Sequence, residues 1–153
     1  MQARLLNIML EEVIAMQANS SLSLNKYIVK NIHFSINESF QFNQHVTIEI
    51  NPEFTRQIRK IDENNALVNL VFKIKNENLD LPFSLEVDIE GLFHLENWEH
   101  PDSVSLMVTN SIAILFPYLR SLVSTVTANA NISPYLIPVM NINALFDQNK
   151  EEK

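Results

Sequence analysis

Four stretches of the chain alternate between apolar and polar residues, and this pattern predicts β-strands. They cover residues 25–37, 44–51, 66–75 and 81–95. The link between the last two strands is short, which predicts an antiparallel hairpin. Pro52 ends the second strand, because proline lacks the N–H group that a strand ladder needs. The charged stretch 54–65 is predicted to be a solvated connection.

Each predicted strand has one apolar face, which is expected to point into the core. In the first strand, Ile28, Ile32, Phe34 and Ile36 share one face with Lys30, while residues such as Tyr27 and Val29 lie on the other. The inward residues of the later strands are predicted to be Val46, Ile48, Ile50, Val68, Leu70, Phe72, Ile74, Phe83, Leu85, Val87 and Ile89.

The second half of the chain changes to a helical spacing of apolar residues. A long helix is predicted over 103–127, and Pro117 inside it is expected to kink or divide the helix. Residues 129–139 are predicted to be extended because they contain two prolines, and a short helix follows over 142–148. The long helix carries more apolar residues than one face can hold. We therefore expect it to be covered on more than one side.

Residues 5–18 also have helical spacing, with most apolar side chains on one broad stripe. This N-terminal helix either docks on its own domain or occupies a binding groove or a partner. Together the elements predict one α+β domain over residues 1–153: a four-stranded antiparallel sheet with the long kinked helix and the short C-terminal helix on one face, plus the N-terminal helix. The tail after residue 148 is expected to be frayed.

Composition excludes several functional classes. The net charge of -7 and scattered basic residues argue against nucleic-acid binding. The absence of cysteine excludes disulfides and thiolate chemistry, and a single glycine excludes glycine-rich phosphate loops. No uninterrupted apolar run reaches the roughly 18 residues of a membrane span, and the N-terminus is a poor signal peptide. The expectation is a cytoplasmic protein without membrane insertion.

No catalytic constellation is apparent in the sequence. The four histidines are isolated and do not form a metal-ligand pattern. Glu86, Asp88 and Glu90 share one face of the fourth strand. This row is a solvated face, a cation or acid–base site, or a docking surface for a basic partner. We expect no enzymatic activity, no required metal and no cofactor.

Three segments carry a resemblance to a known family. They are PFSLEVDIEGLFHL at 82–95, ILFPYLR at 114–120 and PVMNINALF at 138–146. These segments resemble the last strand, the long-helix motif and the C-terminal helix of SecB, the protein-export chaperone. With weaker similarity in the first two strands, the resemblance covers about residues 25–148. A SecB-like fold has the same element order as the one predicted above.

The resemblance implies a homotetramer built as a dimer of dimers. In the SecB family the long helix packs between protomers, and first strands pair across the dimer. That packing accounts for a helix that is apolar on two sides, since an uncovered monomer would expose a large apolar patch. The interface residues implied here are Ile28, Ile112, Phe116, Leu119 and Val123.

The resemblance also implies an ATP-independent molecular chaperone for unfolded polypeptide clients, which keeps preproteins competent for translocation. A chaperone groove needs apolar and aromatic walls that accept many side chains. The positions that match the groove of the SecB family are Phe42, Val46, Ile48, Ile50, Phe83, Tyr135 and Phe146.

The expected partners follow from the acids of the sheet. SecB docks the export motor SecA through acids on its flat sheet face, and Glu86 matches one of them, with Asp88 and Glu90 as further charge. Asn31 and Ser35 stand where the family has two acids of the first strand, and the acidic tail is reduced to DQNKEEK. The alternative function is therefore that of a SecB-like chaperone dedicated to one client, such as the antitoxin of a toxin–antitoxin system.

Overall fold

A computed structural model describes residues 22–42 and 47–147. The predicted helix at 5–18, the residue Val46 and the tail after residue 147 lie outside these residues. The described chain forms β1 (Leu22–Ile36), β2 (Glu53–Lys60), β3 (Asn65–Ile74), β4 (Phe83–Leu95), α1 (Ser103–Asn129) and α2 (Ile142–Asp147). All neighbouring strands are antiparallel, in the order β1-β4-β3-β2.

The α+β fold and the four-stranded antiparallel sheet are confirmed. β3 and β4 are central, and every second residue of each is buried, as expected for strands with one covered face. α1 packs its buried side chains on that face. The largest fully enclosed core side chains are Phe72, Phe93, Leu70, Ile74, Leu85, Ile89, Leu95, Met107, Ile112, Leu115, Leu119 and Ile137.

The predicted position of the second strand is wrong. Residues 47–50 form no strand, and β2 lies in the stretch 53–60 that was predicted to be a solvated connection. Glu53 pairs with Lys73 at one end of β2 and Lys60 pairs with Ala66 at the other. Its inward residues include Arg56, whose long apolar stem can lie along the core while its charge stays near the surface. The basic residues of this stretch therefore masked a strand pattern.

The predicted faces of β1 are also corrected. Register shifts between Leu24 and Lys26 and between Val29 and Asn31 leave Asn25 and Lys30 as bulge residues against β4. Each extra residue reverses the alternation of side chains. As a result, Tyr27 and Val29 share the helix-covered face with Leu24, Ile32, Phe34 and Ile36, while Ile28 lies on the open face opposite Glu90.

α1 runs without interruption through Pro117. The proline therefore does not divide the helix, and it lies on the exposed side, away from the sheet. By length and mean hydropathy α1 is apolar enough to cross a membrane. Its packing on the sheet instead identifies it as the core helix of this fold, since a buried core helix has the same composition.

Gly91 of β4 lies where α1 comes closest to the sheet. A Cβ atom at this position would lie 2.7 Å from Phe93 Cε2, 2.9 Å from Leu115 Cδ2 and 3.1 Å from Leu24 Cδ1. The single glycine of the chain is thus explained by the close approach of helix and sheet. A side chain here would push α1 away from β4.

Candidate functional site

A chain of aromatic contacts begins on β2, an outer strand of the sheet. The Phe54 ring lies 5.4 Å from that of Phe72 on β3 and 6.2 Å from that of Phe116 on α1, measured between centroids. The Phe72 ring in turn lies 6.1 Å from that of Tyr135. Phe72 and Phe116 are buried, whereas Phe54 and Tyr135 are half-buried. The array thus reaches the surface beside β2.

Arg56 connects β2 to both helices. Its guanidinium carbon lies 4.5 Å from the centroid of the Phe146 ring of α2, within the range of a cation–π interaction. Its Nη1 donates a hydrogen bond of 3.3 Å to the carbonyl oxygen of Val108 in α1. We call Phe54, Arg56, Tyr135 and Phe146 the β2-edge site.

The segment between α1 and α2 has an open backbone. Residues 133–141 belong to no helix or strand, and the Tyr135 N–H donates to Thr127 Oγ1 at 2.8 Å. Leu136 and Val139 of this segment are 68 and 89 % exposed. A shallow depression of about 290 Å³ lies beside α1 and is lined by Pro117, Arg120, Ser121, Leu136 and Ile137. Exposed apolar side chains therefore lie on an extended segment beside α1.

The residues predicted to line the groove fall in different places. Tyr135 and Phe146 lie in the β2-edge site. Phe83 is buried against Phe34, with ring centroids 5.7 Å apart. Phe42 is 73 % exposed and contacts Phe40 edge to face at 5.0 Å. Ile48 and Ile50 are half-buried beyond the end of any strand, and Val46 lies outside the described residues.

Sequence reasoning missed Phe54 and Arg56. The sequence does contain the pattern of a strand at this place, because Phe54, Arg56 and Ile58 alternate with polar residues. The charge of Arg56 and its neighbours instead favours a solvated loop when the sequence is considered alone. An arginine between two large apolar residues at that spacing is better interpreted as part of an inward face.

The acids of the open sheet face all have polar partners within the chain. Lys73 Nζ lies 2.6 Å from Glu86 Oε2, and Lys30 Nζ lies 3.3 Å from Glu90 Oε2. Asp88 accepts a hydrogen bond from the side chain of Asn69. Within the described residues, no group of three histidine or acidic side chains is placed to hold a metal ion. Two of the three negative charges of the row are thus paired with lysines of the same sheet.

The helix residues predicted to form an oligomer interface lie in the core of the protomer. Ile112, Leu119 and Val123 have no exposed surface, and Phe116 is 8 % exposed. They face the sheet, which explains one of the two apolar sides of α1. Ile28 is exposed on the open face of β1. The outer side of α1 carries exposed, small and uncharged residues, namely Ala113, Pro117, Ser121 and Thr125.

The phenol of Tyr135 is expected to lose its proton at a higher pH than an exposed tyrosine. Partial burial raises the pKa of its phenol above the usual value of 10.0, because burial disfavours the phenolate. The neutral phenol therefore stabilises the fold below the unfolded pKa of about 10, and this stabilisation is lost as the pH rises through the folded value. The unfolding free energy of the wild type should fall more steeply above pH 10 than that of Tyr135→Phe. Denaturant unfolding at several pH values measures this, and parallel curves would contradict it.

Comparison with known proteins supports one family. The model of the family described as preprotein translocase subunit SecB matches residues 15–153. An uncharacterised protein of Methanocaldococcus jannaschii is 34% identical over 137 residues, which cover 87% of each chain. The protein-export protein SecB of Methylobacillus flagellatus is 24% identical over 145 residues, which cover 94% of this chain and 92% of the relative.

A solved structure shows the same fold. A SecB-like chaperone of Mycobacterium tuberculosis, in complex with a peptide from an antitoxin, matches with a TM-score of 0.62 at 14% identity. The match covers 82% of this chain and 94% of that one. The element order, the sheet topology and the family match over nearly the whole chain agree with one another. The chain therefore belongs to the SecB family.

Proposed function

We propose that this protein is an ATP-independent chaperone that holds unfolded polypeptides in an extended form. The observation that carries the proposal is the β2-edge site. There, partly exposed aromatic side chains lie next to a strand whose outer backbone edge pairs with no described strand. Family membership and the antitoxin-peptide complex of the M. tuberculosis relative support the same function.

The geometry suits clients of varied sequence. An extended client can add to β2 through main-chain hydrogen bonds, which are common to all sequences. Its alternate side chains then point towards Phe54 and Tyr135, and the exposed Leu136 and Val139 extend the apolar surface. Arg56 holds α2 beside the strand through Phe146. Aromatic side chains offer large contact area at a small cost in conformational entropy.

The clients that we propose first are preproteins kept competent for translocation in the cytoplasm. The relatives named protein-export protein SecB support this assignment. Delivery to SecA through Glu86, Asp88 and Glu90 would require these acids to exchange their present partners Lys73, Asn69 and Lys30 for a basic partner.

A chaperone dedicated to one client, such as an antitoxin, is the second candidate. The paired acids favour it, because salt bridges within the sheet lower the charge that is left for a basic motor protein.

We further propose a homo-oligomer, as a dimer of dimers. Two surfaces support it: the outer side of α1, with Ala113, Pro117 and Ser121, and the outer backbone edge of β1, which pairs with no strand among the described residues. A helix side of small, uncharged residues allows close approach of a second helix. A 15-residue edge strand is also a template for pairing with another chain.

An aggregation assay tests the proposed function. The wild-type protein is mixed, without ATP, with several unrelated proteins diluted from denaturant, and light scattering follows their aggregation. We expect aggregation to be suppressed once about one binding site is present for each client chain. If the aggregation of all clients is suppressed, the result supports general export. If only the aggregation of one cognate client is suppressed, the result supports the dedicated chaperone. If no client is protected, including the antitoxin encoded beside the gene where one exists, the proposal is wrong.

A further inference from the structure

The inward face of β2 alternates between apolar and cationic side chains. Its residues are, in order, Phe54, Arg56, Ile58 and Lys60. Both cations lie over aromatic rings. The guanidinium carbon of Arg56 is 4.5 Å from the centroid of the Phe146 ring, and Lys60 Nζ is 4.8 Å from the centroid of the Trp98 ring. A cation that contacts a ring in this way still has N–H groups that can donate to a carboxylate.

Neither cation forms an ion pair with an acid among the side chains that the structure describes. Their cross-strand neighbours on β3 are Leu70 and Ala66, which are apolar and have no exposed surface. The opposite face of β2 differs, because Glu53 there lies 2.9 Å from Lys75 Nζ. On the inward face, a carboxylate directly beside either cation can come only from a strand on the outer side of β2.

We propose that the β2-edge site prefers client segments in which apolar and acidic residues alternate along one face. The inference rests on the proposed addition of a client strand to β2. Such a strand places its own side chains directly beside those of β2, where opposite charges stabilise the pairing and like charges destabilise it. Aspartate or glutamate therefore lies beside Arg56 and Lys60, and apolar residues lie beside Phe54 and Ile58. Main-chain hydrogen bonds accept any sequence, so the two cations rank clients rather than exclude them.

A second copy of β2 is the competing occupant of this edge. The inward face of β2 contains no acid, so pairing of β2 with β2 leaves both cations beside apolar or cationic residues. An antiparallel pairing centred on Ile58 would place Arg56 opposite Lys60, which is a contact between like charges. A client with acidic and apolar residues provides the charge that a second copy cannot.

Three peptides that differ only in charge test the preference. Each has the sequence Phe-Thr-X-Thr-Phe-Thr-X-Thr-Phe, in which X is glutamate, glutamine or lysine. The sequence is the same in both directions, so parallel and antiparallel pairing bring the X residues to the cations alike. Fluorescence anisotropy of the labelled peptides with the full-length protein gives the Kd values. We expect the glutamate peptide to bind roughly fivefold more tightly than the glutamine peptide, and the lysine peptide roughly fivefold more weakly.

The measurement is made at about 0.15 M salt, where charges more than about 8 Å apart are largely screened. The net charge of -7 then has little effect on the comparison. The quantity compared between variants is the Kd of the lysine peptide divided by that of the glutamate peptide. Both values come from the same variant, so a loss of stability cancels from the ratio.

Two substitutions on neighbouring residues separate local pairing from overall charge. Lys60→Glu should lower the wild-type ratio of roughly 25 to near one, because one of the two charge pairs is reversed. Arg59→Glu makes the same change in charge on the open face of the same strand and should leave the ratio within about twofold of the wild type. Arg56→Gln removes the other cation and should lower the ratio to roughly five.

The outcomes distinguish this inference from the chaperone proposal. Equal binding of the three peptides, or an equal effect of Lys60→Glu and Arg59→Glu, would overturn the charge preference and leave the chaperone proposal standing. If no peptide binds at concentrations up to about 1 mM, the chaperone proposal fails and the preference fails with it. Peptide binding that occurs only as the mass measured by light scattering falls would assign the β2 edge to a second copy and overturn the preference.

Discussion

Replacement of Leu119 by aspartate is expected to unfold the protomer. Leu119 has no exposed surface and belongs to the core between α1 and the sheet. An uncompensated buried charge costs about 3–5 kcal/mol, a large part of the roughly 5–15 kcal/mol that stabilises a typical domain. Circular dichroism during urea unfolding should therefore show a much lower midpoint, or no folded baseline at all.

Two further variants separate loss of the fold from loss of assembly. Leu119→Met keeps the volume of the core and should lower the unfolding free energy by less than about 1.5 kcal/mol. Ala113→Arg places a charge on the outer side of α1, and it should leave the fold intact while reducing the mass measured by light scattering. If Leu119→Asp instead keeps the wild-type unfolding midpoint and only reduces the mass, Leu119 belongs to an interface and not to the core.

The parts of the fold that the sequence predicts well are those with a single unbroken pattern. β3, β4, α1 and α2 begin and end within about two residues of their predicted bounds. β3 and β4 are central, so one face of each must be apolar along its whole length, and their alternation is clean. α1 keeps its apolar spacing through Pro117, because the proline lies on the exposed side, where it does not disturb packing on the sheet.

The two outer strands were harder to predict for physical reasons. An edge strand is less enclosed, so charged residues such as Arg56 can share its inward face and weaken the apolar pattern. In β1 the bulges at Asn25 and Lys30 shift the alternation twice. A period of two applied along the whole strand therefore gave the wrong face to Tyr27 and Val29. Only the pairing with β4 reveals where the extra residues lie.

The candidate site was predicted in part. Tyr135 and Phe146 were identified because motifs near the C-terminus carry the family resemblance. Phe54 and Arg56 depended on the correct position of β2, whose alternating pattern is weakened by the charged residues within it. Residues that a resemblance identifies one by one can also lie apart from one another in the fold. Phe83, for example, packs against Phe34 and is not part of the β2-edge site. The positions of the strands, rather than residue types alone, decide which aromatic residues share a surface.

Phe54→Ala should produce the largest loss of client binding. Its ring lies at the exposed end of the aromatic array, in contact with Phe72 and Phe116. Removal of an aromatic anchor from the centre of a binding surface typically costs about 2 kcal/mol or more, which corresponds to roughly a 30-fold rise in Kd. Fluorescence anisotropy measures this Kd with a labelled, reduced and carboxymethylated protein that cannot refold.

Ile58→Ala is the matched control for Phe54→Ala. Ile58 lies on the same strand and the same face, and it is half-buried against the same core. Both variants lose core packing, so both should have a lower unfolding free energy. Ile58 has no ring to contribute to the aromatic array, so its variant should bind the client with nearly the wild-type Kd. If both variants lose the same affinity, binding follows stability alone and the β2-edge site does not hold the client.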